Sequence, residues 1–410
     1  TSALERAMDC FAAEIGMDPA ELRRKNLISA EVFPYTTPTG TDYDSGDYLR
    51  AFDLALEMAG YEELRSEQKA RRAGGGRRQL GIGLSSYVEI TNGVPEGEYG
   101  AVEIRPDGKA VVRTGTSPHG QGHHTAWSML VSDQLGIAIE DIEVIHGDTD
   151  LVPRGVGTFG SRSLQVGGAA VNQAAVEVVD KARALAADLL EADMADIVLD
   201  KPGAAFHVAG TPAISRGWGE LAQASLERDG VALMAEVDLS SPGATFPFGT
   251  HVALVEVDTE TGTVELVRHV AVDDAGRLLN PLLAEGQVHG GIAQGAAQAL
   301  LEEFSYDAAG NPLTANFADY SIISAAELPR FETSFTETAT PRNPLGAKGI
   351  GESGTIGSTP AVHNAVVDAV SHLGVRHIDM ATTPERVWQA VQAARSAAAP
   401  RSAKSAEGAA

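Results

Sequence analysis

The sequence predicts an α+β protein of mixed helices and strands, in which two related α/β halves follow a helical segment. Helical periodicity dominates residues 1–75, whereas alternating apolar and polar residues dominate the chain from residue 76 onward. Two hairpin-like stretches each precede a glycine-bearing loop and a helical run, which suggests a repeated unit. At 410 residues the chain is long enough for two or three units with their own cores.

The first residues are predicted to form an amphipathic helix. Ser2 and Glu5 have the spacing of a capping box at a helix start. Leu4, Met8 and Phe11 then recur at spacings of four and three residues, as on the apolar face of a helix.

The remaining elements follow in order. A second helical pattern, DYLRAFDLALEMAG, ends at Gly60, and the basic, glycine-rich stretch KARRAGGGRR separates the helices from the strands. The first hairpin, YGAVEIRPDGKAVVRTG, turns at Asp107-Gly108, and the second, HVALVEVDTETGTVELVRHVAV, turns near Thr261-Gly262. The predicted division is a helical connector at 1–75, a first α/β half at 76–200, a variable crossing at 201–232, a second α/β half at 233–395 and an alanine-rich, disordered tail at 396–410.

Composition excludes several classes of partner. With 56 acidic and 31 basic residues the formal net charge is -25, which repels nucleic-acid backbones and anionic lipid surfaces. No apolar run approaches the roughly 20 residues that span a bilayer, so neither nucleic-acid binding nor membrane insertion is expected. The single cysteine, Cys10, cannot supply the four thiolates that commonly hold an iron–sulfur cluster. The start of the chain lacks the features of a secretory signal, which predicts a cytoplasmic protein.

The stretch GAKGIGESGTIGSTPAVHNAV contains a G-x-G-x-x-G pattern between Gly349 and Gly354. A dinucleotide-binding loop should follow a buried strand, but Pro341 and Pro344 precede this one. Glu352 inside the pattern would also repel a pyrophosphate. A catalytic carboxylate on a glycine loop and a solvated glutamate in a turn remain as the two interpretations.

The position of Glu352 depends on the helix that follows it. Thr359 is suited to cap that helix and Pro360 to occupy its first turn, with Gly374 at its end. Glu352 is then expected on a flexible turn just ahead of a well-anchored helix.

Three further stretches carry polar side chains among glycines: TSPHGQGHHT (116–125), GTFGSRS (157–163) and VDDAGRLLNPLLAEGQVHGGIAQG (272–295). The histidines of the first could form a zinc site, although no partner carboxylate motif accompanies them. The second could be a polar surface turn.

Together and in this order, the four stretches resemble the large, molybdenum-bearing subunit of the xanthine oxidase family of molybdenum hydroxylases, and the similarity extends to about residue 395. The resemblance implies Glu352 as the active-site base and a molybdenum–molybdopterin cofactor, often the cytosine dinucleotide form in bacterial members. It implies oxidation of an electron-poor carbon, with oxygen taken from water. The run Gly-Glu-Ser-Gly-Thr-Ile-Gly is typical of members acting on aldehydes or N-heterocycles, and a carbon monoxide dehydrogenase-type subunit is the alternative.

The resemblance also implies a set of cofactor-binding residues. Arg162 is expected to offset phosphate charge, and Lys348 to orient the base or the cofactor or to be solvated. No residue is implied as a direct metal ligand, because the pterin dithiolene holds the molybdenum. The implied cofactor-binding set is Gly120, Gln121, Gly122, His123, Thr158, Phe159, Gly160, Ser161, Arg162, Ser163, Asn280, Gln287, Lys348 and Gly351.

Partner chains are implied as well. The family's cofactor loops in this sequence belong to the second half of its large subunit, so a partner is expected to carry the missing first half. Iron–sulfur and FAD groups are expected on separate partner subunits, in a dimer of heteromers. The alternatives are a structural or assembly half that binds cofactor only with a partner chain, and a non-redox hydrolase that uses Glu352.

Overall fold

The computed structural model describes residues 1–94, 96–241 and 243–398. The opening segment is helical, as predicted, with one short antiparallel hairpin. Its elements are α1 (Ser2–Ile15), α2 (Pro19–Asn26), β1 (Tyr35–Thr36), β2 (Asp42–Tyr43), α3 (Tyr48–Ala59) and α4 (Tyr61–Ala73). Helix α3 ends at Gly60 in the left-handed conformation, as expected.

Helix α1 buries its acidic face and not the predicted apolar stripe. Leu4 and Phe11 are 73% and 53% exposed, whereas Glu5 and Asp9 are buried. The guanidinium of Arg23 donates to Glu5 and Asp9 at 2.8 Å each, and this ion-pair network holds α1 against α2. The capping box is wrong too, because Ser2 already lies inside the helix and Glu5 binds Arg23.

The described residues after α4 form two four-stranded sheets, one small sheet and six helices. These elements are β3 (Arg78–Val88), β4 (Glu98–Ile104), β5 (Ala110–Thr114), α5 (His123–Leu135), β6 (Ile142–Ile145), α6 (Ala169–Leu189), β7 (Ile197–Asp200), β8 (Ala205–Val208), β9 (Thr211–Gly217), α7 (Trp218–Asp229), β10 (Leu233–Leu239), β11 (Phe248–Asp258), β12 (Val264–Asp274), α8 (Pro281–Leu300), β13 (Phe331–Thr336), α9 (Ser353–Ser371) and α10 (Pro384–Ala398). A π-helical turn, Ser163–Gly168, leads into α6.

The two large sheets share one plan, which confirms the related halves. Their strand orders are β10-β4-β5-β6 and β3-β11-β12-β13. In each, the first three strands are antiparallel and the fourth is parallel to the third. A helix, α5 or α8, connects the third strand to the fourth, and α6 or α9 follows the fourth. The central hairpins turn at the predicted Asp107-Gly108 and Thr261-Gly262 positions.

Each sheet takes its outer antiparallel strand from the other half of the chain. Strand β3, expected in the first half at 76–200, pairs with β11, and β10, expected in the second half at 233–395, pairs with β4. The sheets therefore do not divide at the predicted boundaries. The expected crossing at 201–232 forms β8, β9 and α7, and its Phe206 and Trp218 pack into the core of the first sheet.

Helix α9 lies directly on the second sheet. A Cβ added at Gly83 of β3 would lie 1.9 Å from the carbonyl oxygen of Ala361, so glycine permits this close approach. The predicted start of the helix at Thr359 is wrong: α9 begins at Ser353, and Pro360 lies inside it. Glu352 is therefore the residue that immediately precedes a helix of 19 residues.

Helix α10 ends the described part of the chain. Residues 396–398 of the expected tail belong to this helix, and 399–410 lie outside the described residues. Within the described ranges, no helix has the length and apolar character needed to cross a membrane.

Candidate active site

The four stretches singled out in the sequence are the strand-to-helix connections of the two halves. They follow β5, β6, β12 and β13, which are the paired parallel strands of the two sheets. Carboxyl ends of parallel strands meet at one edge of a sheet, and ligands of α/β folds bind in such crevices. The two strand pairs therefore bring all four loops around one cavity of about 390 Å³.

Most of the expected site residues line this cavity. Gly120, Gly122 and Arg162 do not. The expected residues among its lining are Gln121, His123, Thr158, Phe159, Gly160, Ser161, Ser163, Asn280, Gln287, Lys348, Gly351 and Glu352.

Glu352 presents its carboxylate to the cavity from the N-terminus of α9. The side chain is exposed, and the hydroxyl of Ser161 donates to its Oε2 at 2.7 Å. The amino end of a helix carries the positive end of the helix dipole, which stabilises a negative charge placed there. Glu352 is the only acidic residue among the described residues that line the cavity, in a chain with 56 acidic residues.

Ser161 is held in an unusual backbone conformation. Its φ is 51°, in the left-handed region that residues other than glycine rarely adopt. Such a residue costs on the order of 1–3 kcal/mol and persists only when its surroundings fix it. Gly349 packs on it so closely that an added Cβ would lie 2.1 Å from the Ser161 carbonyl oxygen. Gly349 thus packs against the backbone and Cβ of the residue whose hydroxyl donates to Glu352.

The loop before α5 turns through two glycines with positive φ. Gly120 has φ 106° and Gly122, which precedes α5, has φ 78°. Between them, Gln121 accepts a hydrogen bond at Oε1 from the backbone N–H of His119. The amide group of Gln121 is thereby fixed at the cavity wall.

His123 begins α5 and is buried against Trp127, with ring centroids 4.9 Å apart. Burial, followed by nearby histidines, lowers the pKa of His123 to about 4, so its imidazole is neutral at neutral pH. His123 Nδ1 and Trp127 Nε1 have no hydrogen-bond partner among the described residues. No group of three or more potential metal ligands occurs in the described structure, so the zinc interpretation has no support there.

Arg162 is a buried structural residue and not a cavity cation. It is 1% exposed, and its guanidinium donates to the Glu98 carboxylate at 2.9 Å. It also donates to the carbonyl oxygens of Glu96 and Gly97 at 2.8 and 2.7 Å. The charge of Arg162 is therefore already paired with Glu98 at the start of β4, and its expected role toward a phosphate stays a prediction.

Lys348 is also buried, which excludes the solvated alternative. Its ammonium donates to the carbonyl oxygen of Ser45 at 3.1 Å and to the hydroxyl of Thr338 at 3.2 Å, and it lies 5.2 Å from the ring centroid of Phe248. Burial lowers the pKa of Lys348. These contacts join the glutamate loop to the segment before α3, while no contact of the ammonium with Glu352 is present in the described structure.

Asn280 and Gln287 line the cavity from the start of α8. Asn280 caps this helix, since its Oδ1 accepts from the N–H of Leu283 at 3.0 Å. Gln287, two turns further, is half-buried. Its amide provides both donors and an acceptor at the cavity wall.

The sequence did not reveal two charged residues at the site. Arg277 lines the cavity from the loop after β12. It lies inside the stretch 272–295, so its place in that motif could have marked it as a site residue. Glu89, just past the end of β3, accepts a hydrogen bond from Ser353 at 3.3 Å and is 6% exposed. Nothing in its local sequence marks Glu89, because β3 is placed at the site by its pairing with β11 and its packing against α9, both distant in sequence.

The interlocked sheets and the four loops around one cavity, lined by apolar side chains and a set of amide and hydroxyl groups, define a cofactor-binding domain built on an internal repeat. A family model described as a molybdopterin cofactor-binding domain matches residues 54–329. The chain belongs to this family, within the xanthine oxidase family of molybdenum hydroxylases.

Individual relatives agree with this assignment. The carbon monoxide dehydrogenase large chain of Hydrogenophaga pseudoflava is 40% identical over 404 residues, covering 95% of this chain and 50% of that protein. The nicotine 6-hydroxylase large subunit of Paenarthrobacter nicotinovorans is 35% identical over 412 residues, covering 96% and 50%. The solved structure of carbon monoxide dehydrogenase from Oligotropha carboxidovorans superposes with a TM-score of 0.90 at 38% identity, covering 97% and 51%. The chain spans about half the length of the curated relatives it matches.

The cavity suits a polar, anionic cofactor of the molybdopterin type. Its volume falls in the range of about 300–1,000 Å³ common for ligand sites. Its polar lining consists mainly of amide and hydroxyl side chains, and its charged lining residues are Arg277, Lys348 and Glu352. The unpartnered His123 and Trp127 nitrogens are what a site completed by a polar ligand would leave.

Proposed function

We propose that this chain forms part of the catalytic subunit of a molybdenum hydroxylase, with Glu352 as the general base. The reaction would oxidise an electron-poor carbon of an aldehyde or N-heterocycle, with oxygen from water. The observation that carries the proposal is the Ser161–Glu352 hydrogen bond of 2.7 Å at a cavity whose described lining contains no other acid.

The cofactor would be molybdenum–molybdopterin, in the cytosine dinucleotide form. Amides of Gln121 and Gln287 and hydroxyls of Thr158 and Ser163 would hydrogen-bond its polar edges. A Cβ added at Gly160 meets nothing within 4 Å, so the backbone there is open to a ligand. When bound, the cofactor supplies the redox centre that accepts the electrons of substrate oxidation.

Glu352 would accept a proton at Oε1 while Ser161 holds Oε2. A base of this kind must be ionised, oriented and within hydrogen-bond reach of the proton it removes. Because the hydrogen bond from Ser161 fixes Oε2, it also fixes the direction in which Oε1 points. Phe159, Leu278 and Ile350 form apolar wall beside it, which would exclude water and accept a flat, uncharged substrate.

The substrate class rests on this wall and on one relative. Nicotine 6-hydroxylase, by its name, acts on an N-heterocycle, and the apolar lining fits such a ring. Oxidation of carbon monoxide is the second candidate, favoured by the 40% identity to a carbon monoxide dehydrogenase large chain. The two candidates are separated by measuring, in one assembled preparation, the rate of oxidation of an N-heterocycle and the rate of oxidation of carbon monoxide.

The chain would act within a complex. Relatives are about twice as long, so a segment or partner equivalent to their other half would close the cavity. Iron–sulfur and FAD subunits would carry electrons away, since Cys10 is the single cysteine and is exposed. The assembly would be a dimer of heteromers, and a chain that binds cofactor only with its partner is compatible with this arrangement.

The test combines metal content with Glu352→Gln in the purified complex. We expect molybdenum and pterin in the active wild type, and a loss of about 10²- to 10⁴-fold in turnover for the variant, since an amide keeps the size but accepts no proton. Molybdenum content should not change in the variant. Glu140→Gln, at an exposed glutamate outside the cavity, is the matched control and should retain wild-type turnover.

Two outcomes would contradict the proposal. An active complex without molybdenum would exclude the cofactor and favour hydrolase chemistry. Near-normal substrate oxidation by Glu352→Gln would exclude the assignment of the base.

A further inference from the structure

His124 and His146 come from different elements, and the nitrogens of their imidazole rings face each other. His124 lies in the first turn of α5, one residue after His123, and His146 directly follows β6. Their Nε2 atoms are 3.1 Å apart, and the rings are inclined at 68° with their centroids 5.0 Å apart. His124 is exposed and His146 is half-buried, so a small solute can reach the pair from solvent.

Two neutral imidazoles can be joined in this way by a hydrogen bond or by a shared metal ion. A straight N–H···N hydrogen bond of this length would place the ring centroids about 5.4 Å apart, because both rings then lie nearly in line. A metal ion at about 2.0–2.1 Å from each nitrogen would place the centroids about 4.8 Å apart, with an angle of about 98° at the metal. That angle lies between the square-planar and tetrahedral values of roughly 90° and 109°. The observed centroid distance of 5.0 Å is closer to the metal geometry.

The surroundings of His146 favour the form that binds a metal ion. Its Nδ1 lies 3.5 Å from the hydroxyl of Ser117, which can accept a proton carried by Nδ1 and so leave the lone pair on Nε2. Burial, and then the neighbouring His124, lower the pKa of His146. A histidine must be neutral to bind a metal ion, so His146 is ready to do so at neutral pH.

We propose that His124 and His146 bind a borderline divalent transition-metal ion such as Zn²⁺ through their Nε2 atoms, with water completing its coordination. Imidazole nitrogen suits such ions, whereas Mg²⁺ and Ca²⁺ take oxygen ligands. The pair takes only His124 from the stretch 116–125, so it differs from the zinc site within that stretch that the sequence suggested. This second metal site does not depend on the proposed role of Glu352.

The ion would join two of the connections that form the cavity. His124 follows the loop that carries Gln121, and His146 begins the connection that carries Thr158 and Ser163. All three of these polar side chains line the cavity. Because a ligand that binds only the folded chain stabilises it, zinc should raise the melting temperature and hold these two loops together.

The first test is zinc binding to the full chain, measured by titration calorimetry near neutral pH after a chelator has removed bound metal. Cys10→Ser is the background for every protein, because an exposed thiol also binds zinc. ZnCl₂ should bind with one equivalent that MgCl₂ does not reproduce. His124→Gln and His146→Gln should each weaken zinc binding by about 10²-fold, since one imidazole lacks the advantage of two linked ligands. His377→Gln removes an exposed histidine that contacts Asp379, and as the matched control it should bind zinc like the background protein.

The second test locates the ion. Diffraction data collected on both sides of the zinc absorption edge should show an anomalous peak at about 2.0–2.1 Å from both Nε2 atoms. Zinc should raise the melting temperature of the background protein but not that of His124→Gln. His124 is exposed, so this variant should fold, and it decides alone if His146→Gln does not fold.

Two outcomes would overturn the proposal. The background protein could bind no zinc, which would leave the two histidines joined by a hydrogen bond alone. Zinc could also bind with equal affinity to the background protein, His124→Gln and His146→Gln, which would place the ion elsewhere. Neither outcome bears on molybdenum or on Glu352, so this proposal and the proposed function fail separately.

Discussion

Gly349 is the position at which one methyl group should disable the site without touching Glu352. A Cβ added there would lie 2.1 Å from the carbonyl oxygen of Ser161, 2.6 Å from its Cβ and 2.7 Å from Cγ2 of Thr91. Ordinary contact begins at 3.4 Å, so the loops must separate by about 1.3 Å. The nearest obstacle is backbone, which cannot rotate away as a side-chain end can.

We therefore expect Gly349→Ala to move Ser161 off Glu352. Overpacking of this kind costs about 1–3 kcal/mol in stability, which the fold should survive. A displacement of about 1 Å in a reacting group can cost on the order of 10²-fold in rate, so turnover should fall about 10²-fold. The assay is steady-state oxidation of an N-heterocycle or aldehyde by the assembled complex, with molybdenum content and melting temperature measured in parallel.

Gly290→Ala is the matched control. A Cβ at this exposed position of α8 meets nothing within 4 Å, so turnover and stability should match the wild type. Wild-type turnover in Gly349→Ala, with molybdenum bound, would refute the reasoning that Gly349 sets the position of Ser161. Equal losses in both variants would show that any added methyl group harms the enzyme.

The remaining predictions concern stability. Arg162→Ala should lower the free energy of unfolding in denaturant by about 3–5 kcal/mol, because it leaves Glu98 charged and buried. Arg183→Ala, which breaks the more exposed pair with Asp180, should change it little, and equal losses would contradict the structural role of Arg162. Burial first, and then the nearby Glu352, raise the pKa of Glu89, which contributes stability that is complete below its ordinary value of 4.5 and is lost as pH rises through about 8. The melting temperature of the wild type should thus fall more steeply across this window than that of Glu89→Gln, and parallel curves would contradict the raised pKa.

The sequence predicts the fold well where structure depends on neighbouring residues. Both hairpins form where an acidic residue or threonine precedes glycine, because such turns are specified locally. The pairing of β3 with β11 could not be predicted, since nothing in either strand indicates a partner so far along the chain. The start of α9 was misjudged because Pro360 is typical of a first helical turn. Here tertiary contacts carry the helix through it: Gly354 packs on Gly291 of α8.

The same distinction between local and distant contacts applies to the site. The four loops could be recognised because glycines and polar residues are concentrated in short stretches of sequence. The contacts of Arg162 and Glu89 could not be predicted, because their partners are distant in sequence. Arg162 pairs with Glu98 at the start of β4, and Glu89 accepts a hydrogen bond from Ser353, the residue that follows Glu352.

The central claim is that the cavity beside Glu352 holds the molybdenum cofactor, and a structure of the cofactor-loaded complex tests it most directly. The account predicts the pterin between the loops that carry Gln121 and Gln287, with molybdenum next to the Glu352 carboxylate and Ser161 still bound to it. A cofactor seated in another cavity, or molybdenum remote from Glu352, would contradict the account.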